Sequence, residues 1–469
     1  MSADTAPAAN PYLSAPIAPL FLKTAGPIIV VMVLSGLFTV VDAVFIGVFV
    51  GARALTAVTL MFPLFMAQVA AGTLVPTGAA SVLARRLGAG EMGAAQTALS
   101  AAMLLGIVMS LIWMSVFALF GERVIAAAAA GDQDLAHQGY TYVAPLVFGS
   151  MLNLVLSVQS DALRSEGRVK AMAALSVGAT LLNILFNFLL IAVLDLGVLG
   201  SALGTLAAQA VSAGFVLWYR LSGRGRLGFW GPVERTALRL WASMLALGAP
   251  ASLNFLGASL VSAGVIATVH QVYPGGAEAT LAAYGVITRL SAFAFMPLLG
   301  LNLAAQSVIG NNFGAGDYAR TNAGLRTALL TAIAYAAAAQ AVLMTLGGPI
   351  GAMFTSDPRV ISEVARILPI VFSTYVVVSV TVLLSGYFQA IGEAGRALLL
   401  GLAKPYLFSL PLLTILPRVW GDFGIWAVTP ASDFAKLVLI VGLLSLNAAQ
   451  TQRRWGLFYA DQRTPTTFG

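Results

Sequence analysis

Long apolar stretches, separated by short breaks that contain glycine, proline or charge, run along almost the whole chain. Each stretch reaches the roughly 20 residues that a helix needs to cross a bilayer. In the first half we expect spans near residues 25–50, 57–82, 94–120, 138–163, 171–193 and 197–220. In the second half we expect them near residues 241–272, 279–309, 320–346, 361–391, 395–417 and 424–448. The pattern predicts an all-α polytopic membrane protein with twelve transmembrane helices.

The amino-acid composition supports a membrane protein and excludes several kinds of functional site. Of 469 residues, 59% are hydrophobic and 9% charged, whereas soluble domains carry about 25% charged residues. The chain has no cysteine and two histidines, which excludes disulfides and thiolate catalysis and leaves few ligands for zinc. A membrane enzyme would need a convergent cluster of His, Asp or Arg, and the sequence contains no such pattern. We therefore expect neither enzymatic activity nor a resident cofactor.

The basic residues indicate the orientation. Most of the 25 Lys and Arg residues, Lys404 among those counted, fall on one side of the predicted spans, which is typical of the cytoplasmic side. Both termini are then cytoplasmic, with tails at residues 1–22 and 449–469, and the protein is expected in a bacterial inner membrane. This topology accounts for the net charge of +7, so we expect no nucleic-acid partner.

The two halves repeat one another at a nearly constant offset. The best match pairs Arg86-Leu-Gly-Ala-Gly-Glu91 with Asn312-Phe-Gly-Ala-Gly-Asp317. Further pairs are Pro27 with Pro250, Gly167 with Gly392, Gly197 with Gly421, and Gly200 with Gly424. Because six is even, six-span repeats keep the same orientation, which predicts parallel lobes at residues 23–220 and 241–448. A cytoplasmic linker at residues 221–240 would join them, and a substrate would bind between them.

Asp42 is the most informative charged residue, because it lies far from either end of span 1. A carboxylate there costs roughly 2.5–3.5 kcal/mol, which usually marks a transport or coupling site. Removal from water favours the neutral form, so Asp42 could exchange a proton or a cation. The alternative is a carboxylate that only hydrogen-bonds a neighbouring helix.

Other charges inside the spans have simpler interpretations. Asp161 and Arg164 are three residues apart near the end of span 4 and predict an ion-paired helix end. Asp433 and Lys436 have the same spacing in span 12 and predict a self-neutralising pair. Arg289 in span 8 has no acid nearby in sequence, so it either pairs across the bundle or contacts an anionic substrate.

Two amides, Asn183 and Asn187, are four residues apart and share one face of span 5. With Asp42 and a hydroxyl such as Thr205 they could complete an oxygen-rich site for Na⁺. Hydrogen bonds between packed helices explain the spacing equally well.

A pliable cavity for amphipathic molecules would use aromatic, methionine and basic side chains. The candidates for such a cavity are Met61, Phe65, Arg289, Phe293 and Met296. Packing in the core or against lipid is the commoner role of the apolar residues among them.

Several motifs together resemble the multidrug and toxic compound extrusion (MATE) family over essentially the whole chain. They are Val41-Asp42-Ala-Val-Phe-Ile-Gly47, Leu87-Gly-Ala-Gly-Glu91, Leu163-Arg-Ser-Glu-Gly167, Gly197-Val-Leu-Gly-Ser-Ala-Leu-Gly204 and Gly310-Asn-Asn-Phe-Gly-Ala-Gly316. Each motif is weak alone, but their order, spacing and duplication are specific. Arg-Ser-Glu-Gly resembles the bacterial branch known for multidrug efflux.

The resemblance implies two six-helix lobes in a V around a cleft that opens to each side in turn. It also implies a cation site in the N-terminal lobe, formed by Asp42, Asn183, Asn187 and Thr205. The family commonly has aspartate at the position of Asn187, and the lost carboxylate favours proton over sodium coupling. Some relatives use a glutamate in span 7, but near Asn254 this chain has none.

The sequence therefore predicts an antiporter that exports amphipathic, often cationic small molecules in exchange for protons or sodium ions. Its expected partners are these substrates and the lipid bilayer, and we expect a monomer. The related alternative is a flippase for lipid-linked saccharides, which a strongly basic cleft would favour.

Overall fold

The computed structural model of the protein describes residues 10–129, 131–232, 237–274, 276–451 and 453–459. Within these ranges the chain forms helices joined by turns, with a single β-bridge between Arg454 and Phe458. Residues 1–9 and 460–469 of the predicted tails and 233–236 of the predicted linker lie outside the described residues.

Six long apolar segments make up the N-terminal half, and we number them spans 1 to 6. They are Ile17–Phe45 with π-helical Ile46–Val50, Phe62–Gly88, Met92–Ala128, the pair Gln133–Phe148 and Ser150–Ser165, Val169–Asn187 with π-helical Phe188–Val193, and Gly197–Leu221. Two short helices, Pro11–Ser14 and Ala52–Leu60, precede spans 1 and 2. Span 1 begins at Ile17 rather than near residue 25, because Pro19 falls in its first turn, where a missing N–H costs nothing.

The C-terminal half repeats this order as spans 7 to 12. Spans 7 to 10 are Ala237–Val272, Glu278–Gly314, Tyr318–Thr345, and the pair Pro358–Phe372 and Tyr375–Ala390, with the short helix Gly347–Phe354 between spans 9 and 10. Spans 11 and 12 consist of Ala394–Leu402, π-helical Ala403–Ser409 and Leu410–Thr451. Gly421 divides Leu410–Thr451, because its backbone has the non-helical angles φ 57° and ψ −135°.

The number of spans depends on how the bent segments are counted. Nine described helical segments are long and apolar enough to cross a membrane, and counting each bent pair as one span gives eleven. The segment Ala394–Gln450 has 57 residues, about 85 Å of helix, which is nearly three times the hydrocarbon thickness of a bilayer. Because Gly421 breaks this segment, we count it as two spans, so the described residues contain twelve.

Spans 4 and 10 bend at equivalent places. The two helices of span 4 meet at 48° and those of span 10 at 46°. Pro145 and Pro369 lie shortly before these bends, and each removes one backbone hydrogen bond from its helix. The repeat seen in sequence is therefore also a repeat of helix geometry.

Two compact units emerge from the packing. One contains Gly26–Leu256 together with the helix Pro11–Ser14, and the other contains Ala15–Ala25 together with the chain from Gly257 onwards. The core of the first includes Ile46, Met61 and Phe117. The core of the second includes Ile367 and Trp426. We refer to these as the N-terminal and C-terminal units; the lobe and linker boundaries drawn from the sequence stay predictions.

Turn glycines explain much of the sequence repeat. Three pairs have positive φ, between +55° and +87°, a conformation that other residues adopt at a cost. These pairs are Gly90 with Gly316, Gly167 with Gly392, and Gly197 with Gly421. Both halves therefore need positive φ at the same three places in the repeat.

In the N-terminal unit, the residues after span 6 fold back over the helix ends. Glu166 holds them: one carboxylate oxygen accepts a 2.5 Å bond from Arg220 and the other a 2.6 Å bond from the backbone N–H of Arg226. Both side chains of the Glu166–Arg220 pair are fully buried. Gln159 donates to the carbonyl of Phe229 at 3.1 Å. The first part of the predicted linker is thus fixed to this unit.

In the C-terminal unit, residues 453–459 are fixed in a comparable way. The Tyr387 hydroxyl donates to the carbonyl of Leu457 at 2.7 Å. Asn322 exchanges two hydrogen bonds with the backbone of Tyr459, whose ring stacks on Tyr318 with centroids 4.5 Å apart. These residues belong to the predicted C-terminal tail, but they are packed because their polar backbone atoms find side-chain partners.

The described part of the predicted N-terminal tail is also packed. Tyr12 is 1% exposed and its hydroxyl donates to the carbonyl of Arg164 at 2.7 Å. The helix Ile17–Phe45 begins before residue 22. The sequence predicts a cytoplasmic tail at residues 1–22, but it does not predict this docking, because the contact depends on one buried aromatic residue.

Candidate cation and proton site

A polar cluster around Asp42 lies inside the N-terminal unit. Span 1 supplies Asp42, span 5 supplies Asn187 and span 6 supplies Ser201. Asn187 Nδ2 and Ser201 Oγ each donate to Asp42 Oδ1, both at 2.8 Å. Three helices thus converge on one carboxylate oxygen in a region where charge is costly.

A second polar pair lies beside the first. Asn183 Nδ2 donates to Thr205 Oγ1 at 2.9 Å, and Thr205 Oγ1 donates to the carbonyl of Ser201 at 3.1 Å. The two pairs are therefore joined through Ser201 on span 6.

Two buried acceptors in this cluster have no hydrogen-bond donor among the described residues. They are the amide oxygens of Asn183 and Asn187. Asn187 is fully buried and Asn183 is 6% exposed. An unsatisfied buried carbonyl is unfavourable, so each oxygen is available to a donor or to a cation.

Small residues bring spans 5 and 6 close enough for these contacts. A Cβ added at Gly204 would lie 2.2 Å from Asn187 Oδ1, and one at Gly200 would lie 2.9 Å from the carbonyl of Leu190. Glycine at these positions allows the two backbones to approach closely, as small residues do between membrane helices. The glycines of the motif that starts at Gly197 therefore place Asn187 and Ser201 within reach of Asp42.

Irregular helix geometry flanks the cluster. The π-helical segment Phe188–Val193 begins directly after Asn187, and Ile46–Val50 begins four residues after Asp42. Such segments are rare and are frequent at functional sites, where they alter the direction of side chains.

The structure brings together all four residues predicted for the cation site, as two hydrogen-bonded pairs. Asp42 pairs with Asn187, and Asn183 pairs with Thr205. Sequence reasoning missed Ser201, which contacts Asp42 directly. The available signal was its position four residues before Thr205, on the same face of span 6.

The candidate substrate contacts differ widely in exposure. Met61 is 1% exposed and packs in the core of the N-terminal unit, so it could contact substrate only after rearrangement. Phe65 is exposed, whereas Phe293 and Met296 are half-buried. Arg289 is exposed and forms no ion pair or hydrogen bond within the described residues. The substrate roles of these residues stay predictions.

One predicted ion pair is confirmed. Arg164 NH2 lies 2.9 Å from Asp161 Oδ1 at the end of span 4. Arg164 is 1% exposed, so the pair stabilises a buried helix end.

The predicted ion pair between Asp433 and Lys436 does not form within the described residues, although the carboxylate attracts the ammonium. The ion partner of Asp433 is Lys404, whose Nζ lies 2.6 Å from Asp433 Oδ1. Lys404 was counted among the charges of the cytoplasmic side, but it lies in the π-helical segment Ala403–Ser409, ten residues into the helical segment. Spacing within span 12 could not reveal a partner that arrives from span 11.

Twelve spans in two similar units, with a carboxylate-centred polar cluster inside one of them, are the features of a polytopic membrane transporter. A model of the MatE family matches residues 27–189 and again residues 250–415, so the chain belongs to the MatE family. The two matches cover corresponding parts of the two repeats. The chain is therefore a transporter and not an enzyme.

Similar proteins include human multidrug and toxin extrusion protein 1. It is 25% identical over 418 residues, which cover 87% of this chain and 70% of the human protein. The FAD transporter of Shewanella oneidensis is 24% identical over 452 residues, 93% of this chain and 95% of that protein. A solved outward-facing multidrug resistance MATE transporter shares the fold, with a TM-score of 0.84, 21% identity and coverage of 93% and 97%.

Proposed function

We propose that this protein is a cation-coupled antiporter that exports amphipathic, often cationic small molecules across the cytoplasmic membrane. Membership of the MatE family supports export, and two similar proteins are named for multidrug extrusion and FAD transport. The excess of Lys and Arg on one side of the spans supports cytoplasmic termini.

The observation that carries the coupling proposal is the hydrogen-bonded position of Asp42 inside the N-terminal unit. The ionised carboxylate is stabilised by donors from Asn187 and Ser201, while removal from water opposes ionisation. These opposing effects allow Asp42 to bind and release a proton during the cycle. A cationic substrate would compete with that proton for the same carboxylate, which links import of one to export of the other.

Sodium coupling would use the same cluster differently. Na⁺ would bind the Asp42 carboxylate and the free amide oxygens of Asn183 and Asn187, with the Thr205 hydroxyl beside them. This set supplies one formal negative charge. We therefore favour the proton, because a single carboxylate attracts Na⁺ less strongly than the two carboxylates that the family commonly has in this cluster.

The test is substrate-driven ion flux in proteoliposomes that carry either a proton gradient or a sodium gradient. Rhodamine 6G serves as the amphipathic cation, and the native protein is compared with Asp42→Asn. We expect the native protein to use the proton gradient and Asp42→Asn to lose this proton-driven transport. Transport by Asp42→Asn at the native rate under each gradient would refute the proposal.

A substitution at Asn187 distinguishes sodium coupling from proton coupling. Asn187→Asp places a second carboxylate beside the first, and repulsion between the two is relieved when a cation binds between them. We expect sodium-driven transport to appear in this variant. The double exchange Asp42→Asn with Asn187→Asp is the matched control, because it keeps one carboxylate, and it should show no such gain.

A further inference from the structure

A second group of charged side chains lies inside the membrane-spanning part of the C-terminal unit. Lys404 lies ten residues after Ala394, about 15 Å along the helix, and thus well inside span 11. Asp433 and Lys436 lie inside span 12. Each charge costs roughly 2.5–3.5 kcal/mol at such a depth, so three together need an explanation.

Contacts explain two of the three. Asp433 Oδ1 is 2.6 Å from Lys404 Nζ, and Asp433 Oδ2 accepts a 2.9 Å hydrogen bond from Thr374. The side chain of Asp433 is 1% exposed and that of Lys404 is 32% exposed. Asp433 thus fixes Lys404 in place and neutralises one positive charge.

Lys436 is the unexplained member. It is 6% exposed, and within the described residues it forms no ion pair and no hydrogen bond. It lies one turn from Asp433 on the same face of span 12, so the cluster retains one positive charge beyond the Lys404–Asp433 pair. Asp433 attracts the Lys436 ammonium, but this carboxylate already pairs with Lys404. An anion bound beside Lys436 would lower the cost of burying its charge.

We propose that Lys404 and Lys436 form an anion-binding subsite for the carboxylate or phosphate group of an amphipathic substrate. The ammonium groups provide point charges of the kind that bind phosphate and carboxylate. The partial exposure of Lys404 gives a ligand access to the subsite, and Asp433 holds its position. Arg289 on span 8, which is exposed and forms no ion pair within the described part of the chain, adds positive charge to the same unit.

This subsite rests on the proposed export function and extends it to substrates that carry an anionic group as well as an apolar body. The two units would then differ in chemistry. The N-terminal unit presents a carboxylate for a proton or cation, whereas the C-terminal unit presents ammonium groups for an anion.

Binding of two xanthene dyes tests the subsite. Carboxyfluorescein is the anionic probe and rhodamine 6G the cationic one, and fluorescence anisotropy reports their affinity for the protein in phosphatidylcholine nanodiscs. We expect Lys436→Gln to weaken carboxyfluorescein binding by about tenfold or more, the loss expected for a hydrogen bond to a charged group. Rhodamine 6G binding should be unchanged, and Lys436→Arg should retain both.

Lys170→Gln, which removes an exposed lysine of the N-terminal unit, is the matched control and should bind both dyes as the native protein does. The proposal is overturned if native protein does not bind carboxyfluorescein, or if Lys436→Gln leaves its affinity unchanged or lowers both affinities equally. Replacing part of the phosphatidylcholine with phosphatidylglycerol adds an anionic lipid. A loss of dye binding in that lipid would assign the subsite to a headgroup and overturn the substrate assignment.

Binding is measured without an ion gradient, so it does not depend on coupling at Asp42. Failure of Asp42→Asn to uncouple transport would refute the antiport proposal alone. If Lys436→Gln did not weaken the binding of carboxyfluorescein, only the subsite proposal would be refuted.

Discussion

Both hydrogen bonds to Asp42 end on the same oxygen atom, Oδ1. Within the described residues, Oδ2 receives no hydrogen bond, which leaves that oxygen for a proton or cation. The two donors favour the ionised form, and their loss would favour the protonated form. At the scale of single residues, Ser201 and Asn187 therefore set how readily Asp42 gives up a proton.

Ser201→Ala removes one of these donors, and hydrogen bonds to charged groups contribute about 1.5–3 kcal/mol. Because the protonated carboxyl becomes relatively more stable, we expect the pH midpoint of proton-driven rhodamine 6G transport to rise by about one to two units. The measurement is the transport rate in proteoliposomes across a pH series. Ser212→Ala is the control, since Ser212 is buried on the same helix but donates to the carbonyl of Ala208. A midpoint that moves equally in both variants would contradict the assigned role.

At the scale of helices, the contact between spans 5 and 6 depends on a missing side chain. A methyl group at Gly204 would lie 2.2 Å from Asn187 Oδ1, so Gly204→Ala must displace the amide or separate the helices. Overpacking of this kind typically costs about 1–3 kcal/mol. We expect a lower unfolding temperature and a large loss of coupled transport.

Gly214→Ala is the matched control for that experiment. Gly214 lies on the same helix, and a Cβ there would meet nothing within 4 Å. Thermal unfolding and transport should both stay near native values in this variant. Equal effects of the two substitutions would show that the approach of spans 5 and 6 is not what Gly204 protects.

The first helix of span 4 begins at a charged cap. The Asp132 carboxylate accepts from the backbone N–H groups of Asp134 and Leu135, and Arg53 lies 2.9 Å away. The hydrogen bond from Leu135, followed by the attraction of Arg53, holds the pKa of Asp132 below its ordinary value of 3.8. A lowered pKa in the folded protein means that the ionised cap stabilises the fold above pH 3.8 and loses this effect as pH falls further.

Asp132→Asn keeps the capping geometry and removes the charge. We expect the native protein to unfold at a higher temperature than this variant at neutral pH. The difference should shrink as pH drops below 3.8, where the native carboxyl also becomes neutral. Differential scanning fluorimetry across a pH series measures it, and a difference that stays constant into strong acid would contradict this account.

Hydrophobic length predicted the helices well, because apolar stretches in a membrane protein have few alternatives to helix. The glycine repeat likewise identified turns that need positive φ. What could not be predicted were contacts that depend on the direction of side chains between helices. Lys404 contacts Asp433 from a π-helical segment of span 11. Glu166, directly after span 4, pairs with Arg220 at the end of span 6. Spacing along one helix contains no information about such partners.

At the scale of the molecule, the two units share a backbone plan but not their polar residues. The turn glycines recur in both units. The carboxylate of Asp42 has no counterpart in span 7, which contains Asn254 but no acidic residue. The buried charges of the C-terminal unit are instead those around Asp433. Duplication therefore preserved the fold while the chemistry of the halves diverged.

Orientation is a prediction for the whole chain, and the absence of cysteine makes it simple to test. Gln133 is exposed at the start of span 4, Ser356 is exposed before span 10, and Ser222 is exposed after span 6. With both termini cytoplasmic, single cysteines at the first two positions should react with an impermeant maleimide in intact cells. Cysteine at Ser222 should react only after permeabilisation, and the reverse pattern would invert the proposed topology.

The docking of residues 453–459 also affects how the protein can be handled. A fluorescent or affinity tag joined directly after Thr451 would replace the Leu457 carbonyl that Tyr387 binds and the Tyr459 ring that stacks on Tyr318. The helix ends beneath would lose their cover, and the fusion would be less stable than the protein it reports on. A tag attached beyond Tyr459 leaves that cover in place, so the position of the junction would decide whether a fusion reports the native protein.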